Sequence, residues 1–471
     1  MRTLSLPLRR AAAAALVLLL AACGGREGAL FDKHGFAAEQ VGYLLFDPAD
    51  GRVLAARQPD RPFVPASVAK LPTVVAALAV LGPEHRFATE LLATGPVEGG
   101  TLRGDLILRG GGDPSLTSEG LAALLDGLKA QGVRRVAGRF LYDASALPEL
   151  PEIDAGQPWT AGYNTGIGAL SLNYNRVQLA WTRRPNGTVE AGAWSMSDLG
   201  RHRVDGIAVA VVPEADTVVA PLPVKDGEGW QLAVRPDTPA RLWLPVTRPG
   251  AAAAAVFRAL AAERWLTLPT PEAGVAPANA RAVARHDSPA LEELAARVLR
   301  HSNNLSAELI GLAAARRLDP RAATLARSAA VLAGWFAAQR PDVDWRGLRL
   351  LNHSGLSTGS AMTPRQTMAI LEMGGERLSA LLPGGDESGP LPGVRGKSGT
   401  LAYAKGMAGL LRTATGKELG FAFYVGDPAQ RAALDATLDR RVAEMPAEAR
   451  AWLARARALQ ADLLALWRGG E

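Results

Sequence analysis

The apolar positions of this chain change period along its length. Val41-Gly42-Tyr43-Leu44-Leu45-Phe46 and Arg52-Val53-Leu54-Ala55 read as two strands, joined by the turn residues Asp47-Pro48-Ala49-Asp50-Gly51. Val74 to Leu81 is a continuous apolar run that stops at Gly82-Pro83, which predicts a helix beginning near Ser67. Phe87 to Leu92 and Leu102 to Leu108 read as extended, Glu119 to Lys129 as an amphipathic helix and Val133 to Tyr142 as another strand. From residue 166 to about 270 alternating runs dominate, among them Val177 to Trp181, Ile207 to Val212, Trp230 to Val234 and Arg241 to Val246.

Helical periodicity returns near residue 286. Leu291, Leu294, Val298 and Leu299 share one face, and Leu305, Leu309 and Ile310 continue it after a break at Ser302-Asn303-Asn304. Further helices are predicted over Ala322 to Gln339 and Pro364 to Met373. Gly393 to Lys397 leads into a strand, Met407 to Thr413 and Gly420 to Val425 follow, and helices near Ala429 to Met445 and Ala447 to Trp467 close the chain. No internal repeat is visible. The pattern defines an α/β segment and a β-rich segment set between two helix-and-strand ends.

Composition is that of a globular chain with a large core: 48% hydrophobic and 21% charged residues in 471, a length that suits roughly three domains. The net charge of +6 comes mostly from scattered arginines, with no interleaved basic and aromatic pattern, so nucleic acid is not an expected partner. A mild attraction to anionic wall or lipid surfaces is the sharper reading of that charge, and an arginine-rich surface the plainer one.

At the start of the chain Arg2, Arg9 and Arg10 precede an apolar segment from Ala11 to Ala22, too short to span a bilayer and shaped like an export signal. Leu20-Ala21-Ala22-Cys23 resembles a bacterial lipobox, and Cys23 is the only cysteine, so no intrachain disulfide is possible. By resemblance to lipoproteins, residues 1–22 are a signal peptide and Cys23 is the lipidated first residue of a linker over 23–35. The alternative is an ordinary secretory peptide with an incidental cysteine. Gly24, rather than Asp, favours the outer membrane over the inner as the place of anchoring, with the protein in the periplasm.

Candidate chemistry starts at Pro65-Ala66-Ser67-Val68-Ala69-Lys70. A serine hydroxyl is a poor nucleophile until a base takes its proton. A lysine one turn away serves as that base if burial favours its neutral form. None of the other six lysines has a serine three residues before it. Ser302-x-Asn304 offers a hydroxyl for proton relay and a carboxamide to hold an amide and the amine, although a helix cap or turn is the plainer reading. Ser171-x-Asn173 matches the same short pattern within the β-rich segment. Lys397-Ser398-Gly399-Thr400 suits a substrate carboxylate beside a strand, with a backbone N–H near Thr400 and that of Ser67 as an oxyanion hole.

Other chemistries find less support. None of the six histidines (His34, His85, His202, His286, His301 and His353) forms H-E-x-x-H or pairs with a cysteine, so no metal site and no cofactor is expected. His301 and His353 lie near the motifs and are read as core or surface residues, with the cleft as the other option. Gly355-Leu356-Ser357-Thr358-Gly359 matches G-x-S-x-G, but no histidine follows it. The Gly-rich loop at Gly110 lacks the ending of a P-loop.

These motifs, in this order, resemble the low-molecular-mass class C penicillin-binding proteins, a family of D-alanyl-D-alanine carboxypeptidases and endopeptidases. The resemblance runs through PASVAKLPT (65–73), LILRGGGDPSLT (106–117), GVRRVAGRFLYDAS (132–145), ALSLNYNRV (169–177), ARHDSP (284–289), HSNNLSAE (301–308), HSGLS (353–357) and GKSGTL (396–401). It implies an α/β (α+β) fold: a β-lactamase/transpeptidase-like, penicillin-recognising domain split over 36–90 and 275–471. Two nested insertions, an α/β domain at 91–165 and a β-rich domain at 166–274, are implied between the halves. It further implies Ser67 as nucleophile, Lys70 as base, Ser302 and Asn304 as relay and support, and Lys397, Ser398, Gly399 and Thr400 as the substrate-binding strand. Ser171 becomes part of a middle-domain strand. Ser398 replaces the commoner threonine. His353 stands where glycine is often found before S-G-L-S, which implies an altered cleft wall. The expected partners are peptidoglycan peptides ending in or cross-linked through D-Ala, β-lactams as inhibitors, and a membrane through the lipid anchor. A β-lactamase on the same fold and a catalytically inert wall-binding lipoprotein are the rival readings.

Overall fold

The computed structural model describes residues 26–213, 215–235, 238–384, 391–442 and 445–469. The export segment and Cys23 lie outside them.

Both ends of the chain build one antiparallel sheet of five strands. Its order is Val394–Leu401, Ala404–Arg412, Glu418–Gly426, Val41–Phe46 and Val53–Arg57. Val41 pairs with Val425 and Phe46 with Gly420, so the first strand is bound into the sheet by a segment near the end. All six residues of Val41–Phe46 are buried. That explains their unbroken apolar run: helices cover both faces of the sheet, so neither face needs polar residues.

One face carries the helices Lys70–Leu81, Leu291–His301, Asn304–Leu318, Leu325–Gln339 and Pro364–Leu381, whose side chains form a common core with Leu44, Phe46, Ala408 and Tyr424. The other face carries Ala447–Gly469, with Trp452, Leu459 and Leu463 against Tyr43, Met407 and Phe421. Residues 26–34, expected as linker, are helical; Phe31 is buried and Glu27 accepts a bond from Trp467 Nε1 at 2.9 Å. The last-but-one helix is shorter than expected. It ends at Thr437 rather than near Met445.

The helix Lys70–Leu81 runs through the centre of its layer. Nine of its residues, from Lys70 to Leu78, are buried, so it is apolar all round rather than striped. Pro72 falls in its first turn, where a missing N–H costs nothing. Gly82, at φ +90°, ends it in a conformation that side chains disfavour.

Between the two ends lies a second five-stranded sheet, ordered Pro271–Ala273, Phe140–Asp143, Leu106–Gly110, Ala88–Ala93 and Arg281–Asp287. Ser118–Ala130 and Pro249–Arg264 pack on it. The expected edges at residues 90 and 275 therefore fall within this sheet or beside its strands. Pro249–Arg264 is a helix inside the stretch read as β-rich; its alanine run carries no strand alternation and has high helix propensity. The β-rich part holds a four-stranded sheet (Gly200–Arg203, Val189–Ser197, Arg176–Arg183, Arg241–Pro245) and a three-stranded one (Ile207–Val212, Glu228–Ala233, Val219–Pro221).

Ser171 and Asn173 belong to a turn, not a strand. Asn173, Tyr174 and Asn175 all have positive φ. Asn173 Nδ2 donates to Ser118 Oγ and to Ser195 Oγ, tying a helix start to a neighbouring strand.

Candidate active site

Ser67 sits in a 3₁₀ turn, Ala66–Ala69, that runs directly into the helix starting at Lys70. Three residues per turn place positions i and i+3 over one another, so this turn aligns Ser67 with Lys70 better than an α-helix would. Lys70 Nζ lies 3.0 Å from Ser67 Oγ. It also donates to Asn304 Oδ1 at 2.7 Å and to the Ser354 carbonyl at 2.8 Å. The Lys70 side chain has no exposed surface.

That burial holds the Lys70 amine well below the usual lysine range; the positive charge of Lys397 adds to the shift and Glu308 opposes it. The three oxygen neighbours of Lys70 Nζ accommodate that neutral form. A neutral amine has two N–H groups and one lone pair. Asn304 Oδ1 and Ser354 O can only accept, so they take the two N–H groups. The lone pair is left for the one neighbour that has a proton to give, the Ser67 hydroxyl.

Ser302 and Asn304 come from the joint between two helices. Ser302, at φ 55°, closes Leu291–His301 in a left-handed conformation. Asn303 caps the next helix, its side chain accepting from Ser306 N at 2.9 Å. Asn304 follows at the first helical position and reaches Lys70. Ser302 is half-buried and lines a cleft with Tyr163, Arg176, His301 and Asn304. Among the described residues no hydrogen bond joins Ser302 to Lys70.

The third segment is the outer strand Val394–Leu401. Gly399 lies against the turn: a Cβ there would stand 2.8 Å from Ser67 N and 2.5 Å from the Pro65 carbonyl. Only glycine permits this approach. Gly396 N–H donates to Pro383 O, away from the sheet. Alternation along an antiparallel strand sends the N–H of Thr400 to that same free edge. Lys397 is buried, and its Nζ donates to the Ser398 carbonyl at 2.9 Å. Burial pulls its pKa down to about 8. Thr400 is exposed and Ser398 half-buried.

The three segments thus meet at one place, built from a helix start, an inter-helix joint and a sheet edge. Several partners were not legible in the sequence. The Ser354 carbonyl, the Tyr163 carbonyl that accepts from Asn304 Nδ2 at 3.0 Å, and the buried Glu308 all touch this network or support it. Glu308 had a signal, since it lies four residues after Asn304 on one helix face.

His353 follows its core reading and corrects only the altered cleft wall that the resemblance implied. It does not form a cleft wall. It is fully buried, with Nε2 2.8 Å from Ser328 Oγ, and its ring fills the notch left by the absent side chain of Gly311. Burial lowers its pKa to about 3, so it is neutral. His301, by contrast, is exposed beside Ser302. Gly355 to Gly359 is a loop; Gly355, at φ +76°, packs against the Ala66 carbonyl.

A helix-borne serine and lysine, a serine–asparagine joint and a lysine-bearing edge strand on this fold define a serine acyl-transfer peptidase of the penicillin-recognising type. Residues 29–445 match the D-Ala-D-Ala carboxypeptidase 3 (S13) family, and the chain belongs to that family, among the low-molecular-mass class C penicillin-binding proteins. A D-alanyl-D-alanine carboxypeptidase of Actinomadura sp. (strain R39) is 30% identical over 381 residues, 75% of this chain and 68% of that protein. The D-alanyl-D-alanine carboxypeptidase DacB of Haemophilus influenzae is 26% identical over 347 residues, 70% of each chain. The crystal structure of penicillin binding protein 4 (dacB) from Haemophilus influenzae superposes with a TM-score of 0.73 at 21% identity, covering 93% of this chain and 99% of that one. The same protein complexed with a β-lactam gives a TM-score of 0.68 at 21% identity, over 90% and 96% of the two chains.

Proposed function

We infer that this chain is a serine D-Ala-D-Ala carboxypeptidase and DD-endopeptidase that trims or unlinks peptidoglycan stem peptides through an acyl-enzyme on Ser67. The observation that carries the assignment of roles is the buried Lys70 amine, 3.0 Å from the Ser67 hydroxyl with both its N–H groups otherwise engaged. Ser67 Oγ attacks the D-Ala carbonyl carbon while its proton passes to Lys70 Nζ. The oxyanion is stabilised by the N–H groups of Ser67 and Thr400. When the C–N bond breaks, the proton moves to the leaving amine, with Ser302 as relay. Water then attacks the ester and frees Ser67. Lys397, Ser398 and Thr400 hold the terminal carboxylate, and Gly399 lets the strand lie close enough to do so.

β-Lactams acylate the same serine in this reading. The test is labelling with a fluorescent penicillin: the wild-type chain is labelled and Ser67→Ala is not. Equal labelling of the two removes Ser67 from its role. Product masses from monomeric and cross-linked muropeptides then give the balance of carboxypeptidase and endopeptidase activity. Rapid turnover of penicillin would instead favour a β-lactamase.

The domain layout we propose is a catalytic unit made from both ends of the chain, with the α/β and β-rich parts nested between them. Export by residues 1–22, lipidation of Cys23 and anchoring in the periplasm at the outer membrane rest on the sequence of the first segment. No helix among the described residues is long and apolar enough to cross a membrane. Mass spectrometry of the mature N-terminus, with Cys23→Ala as control, checks the anchor.

A further inference from the structure

The most deeply buried carboxyl near the reaction centre has no part in the scheme above. Glu308 has no exposed surface. Its two oxygens accept from consecutive main-chain amides: His353 N–H at 2.9 Å and Ser354 N–H at 2.8 Å. The carbonyl of that same Ser354 is the third contact of Lys70 Nζ, at 2.8 Å. The opposite side of the segment is tied as well, since Thr73 Oγ1, one turn beyond Lys70 on its helix, donates to the His353 carbonyl at 2.8 Å. The His353 ring is locked against Gly311 and Ser328.

We propose that Glu308 is a positioning residue for the catalytic amine: by gripping the amides of His353 and Ser354 it aims the Ser354 carbonyl at Lys70 and so fixes the direction of the lone pair toward Ser67. The proposal rests on the serine–lysine reading of the site.

The geometry explains why a carboxylate stands here. Two adjacent N–H donors need two acceptors, and no neutral side chain offers two acceptor oxygens in that arrangement. A buried carboxylate is costly unless it is hydrogen-bonded, and here each oxygen has an amide. Without the grip, the 353–354 segment keeps only the Thr73 tie and the packed His353 ring, neither of which holds the Ser354 amide or aims its carbonyl. Lys70 then loses an acceptor, and its lone pair no longer has one preferred direction. Glu308 also acts on charge. The ionisable groups around Lys70 are Glu308 from the helix Asn304–Leu318, Lys397 from the edge strand, and the neutral His353 from the loop; Lys405 lies behind Lys397. Lys397 disfavours the ammonium form of Lys70 and Glu308 favours it. Burial raises the pKa of Glu308 itself, against the pull of its two amide bonds and of Lys70.

The test is the rate of acylation by a fluorescent penicillin as a function of pH, on the full chain, with folding checked by circular dichroism. Glu308→Gln replaces one acceptor by an amide group that opposes an N–H donor. It also removes the charge that favours the ammonium. The expected result is a folded protein that acylates at least about tenfold more slowly at its optimum, as the loss of one charged hydrogen bond implies. The acid limb of its rate profile moves to lower pH. Glu308→Asp keeps the charge but shortens the reach: its rate falls while its acid limb moves less. A merely structural role lowers the folded fraction and leaves the profile of the folded protein in place, and that result overturns the proposal, as does a wild-type rate and profile for Glu308→Gln. If Glu308→Gln does not fold, Thr73→Val frees the same segment from its other tie; slower acylation with an intact fold supports the proposal and an unchanged rate refutes it. Ser67→Ala, run alongside, separates the two readings. Labelling of that variant refutes the serine–lysine assignment, whereas loss of its labelling with Glu308→Gln unaffected refutes the positioning role alone.

Discussion

Asn304 joins Lys70 to Tyr163. Its side-chain oxygen takes a bond from Lys70 Nζ at 2.7 Å, and its nitrogen donates to the Tyr163 carbonyl at 3.0 Å. One amide therefore couples the reacting amine to the 150–164 segment outside the helical layer. That segment is itself tied to the chain near its end: Arg441 Nη1 donates to Glu152 at 2.7 Å and to the Gln157 carbonyl at 3.0 Å. We predict that Asn304→Ala slows penicillin acylation by about 10–100-fold, since it removes one hydrogen bond to an ionisable partner and one to a main-chain carbonyl. Stopped-flow labelling measures it.

In the proposed scheme Lys70→Ala removes the base altogether. Acylation should fall by about 10²–10⁴-fold while the protein stays able to bind peptide, because general-base catalysis contributes on that scale. The pH profile of any residual rate should lose its acid limb.

The alkaline limb has a different origin. In the proposed scheme Lys397 meets the substrate carboxylate as a cation, and burial pulls its pKa down to about 8. Substrate binding should therefore weaken as pH rises through about 8, giving kcat/KM a bell shape with Lys70 deprotonation on its acid side. Lys397→Arg keeps its charge at every working pH, so its alkaline limb should move upward even if its maximum is lower. A pH series with a D-Ala-D-Ala peptide reads this directly.

Lys405 is buried on the far side of the sheet, with its pKa lowered to about 7 by desolvation, then by Arg457 and Lys397. Its two bonds, to the Gly399 and Gly406 carbonyls, are long at 3.3 Å. The unfolded chain holds this proton more tightly than the folded one. The contribution of Lys405 to stability should thus be lowest below about pH 7 and rise as pH climbs from about 7 toward 10.5. Lys405→Met should raise stability at pH 6 and flatten that rise in denaturant titrations.

Gly355 meets the Ala66 carbonyl, one residue before Ser67, and has φ +76°. Gly355→Ala must push the 3₁₀ turn away and adopt a conformation alanine resists. We predict a loss of about 1–3 kcal/mol in stability, the range for overpacking, together with slower acylation. Urea denaturation and penicillin labelling check the two effects separately.

How much of this was legible in the sequence follows from range. Ser67 and Lys70 are three residues apart, and Lys397 to Thr400 are contiguous, so local spacing exposed them. Asn304 was found for the same reason. The Ser354 carbonyl carries no side-chain signature, and its role depends on a turn 284 residues from Lys70 along the chain. His353 reads from the sequence as a core or surface residue with the cleft as the other option; Gly311, on the helix Asn304–Leu318, decides that its ring points inward. Strand pairing across the chain was equally invisible. Arg281–Asp287 is assigned no element from its own residues, and it becomes a strand by pairing with Ala88–Ala93.

The sheet that bears Lys397 has its first strand, Val41–Phe46, held between Val53–Arg57 and Glu418–Gly426. During synthesis the nascent chain presents Ser67 and Lys70 long before the ribosome has made the strands that flank them. The middle segments are free to acquire structure in the meantime, since domains fold as units from the N-terminal side. Nearly the whole polypeptide must emerge before the edge strand can meet Ser67, so in the proposed scheme a chain stalled short of residue 394 carries its nucleophile without the strand that would hold an oxyanion.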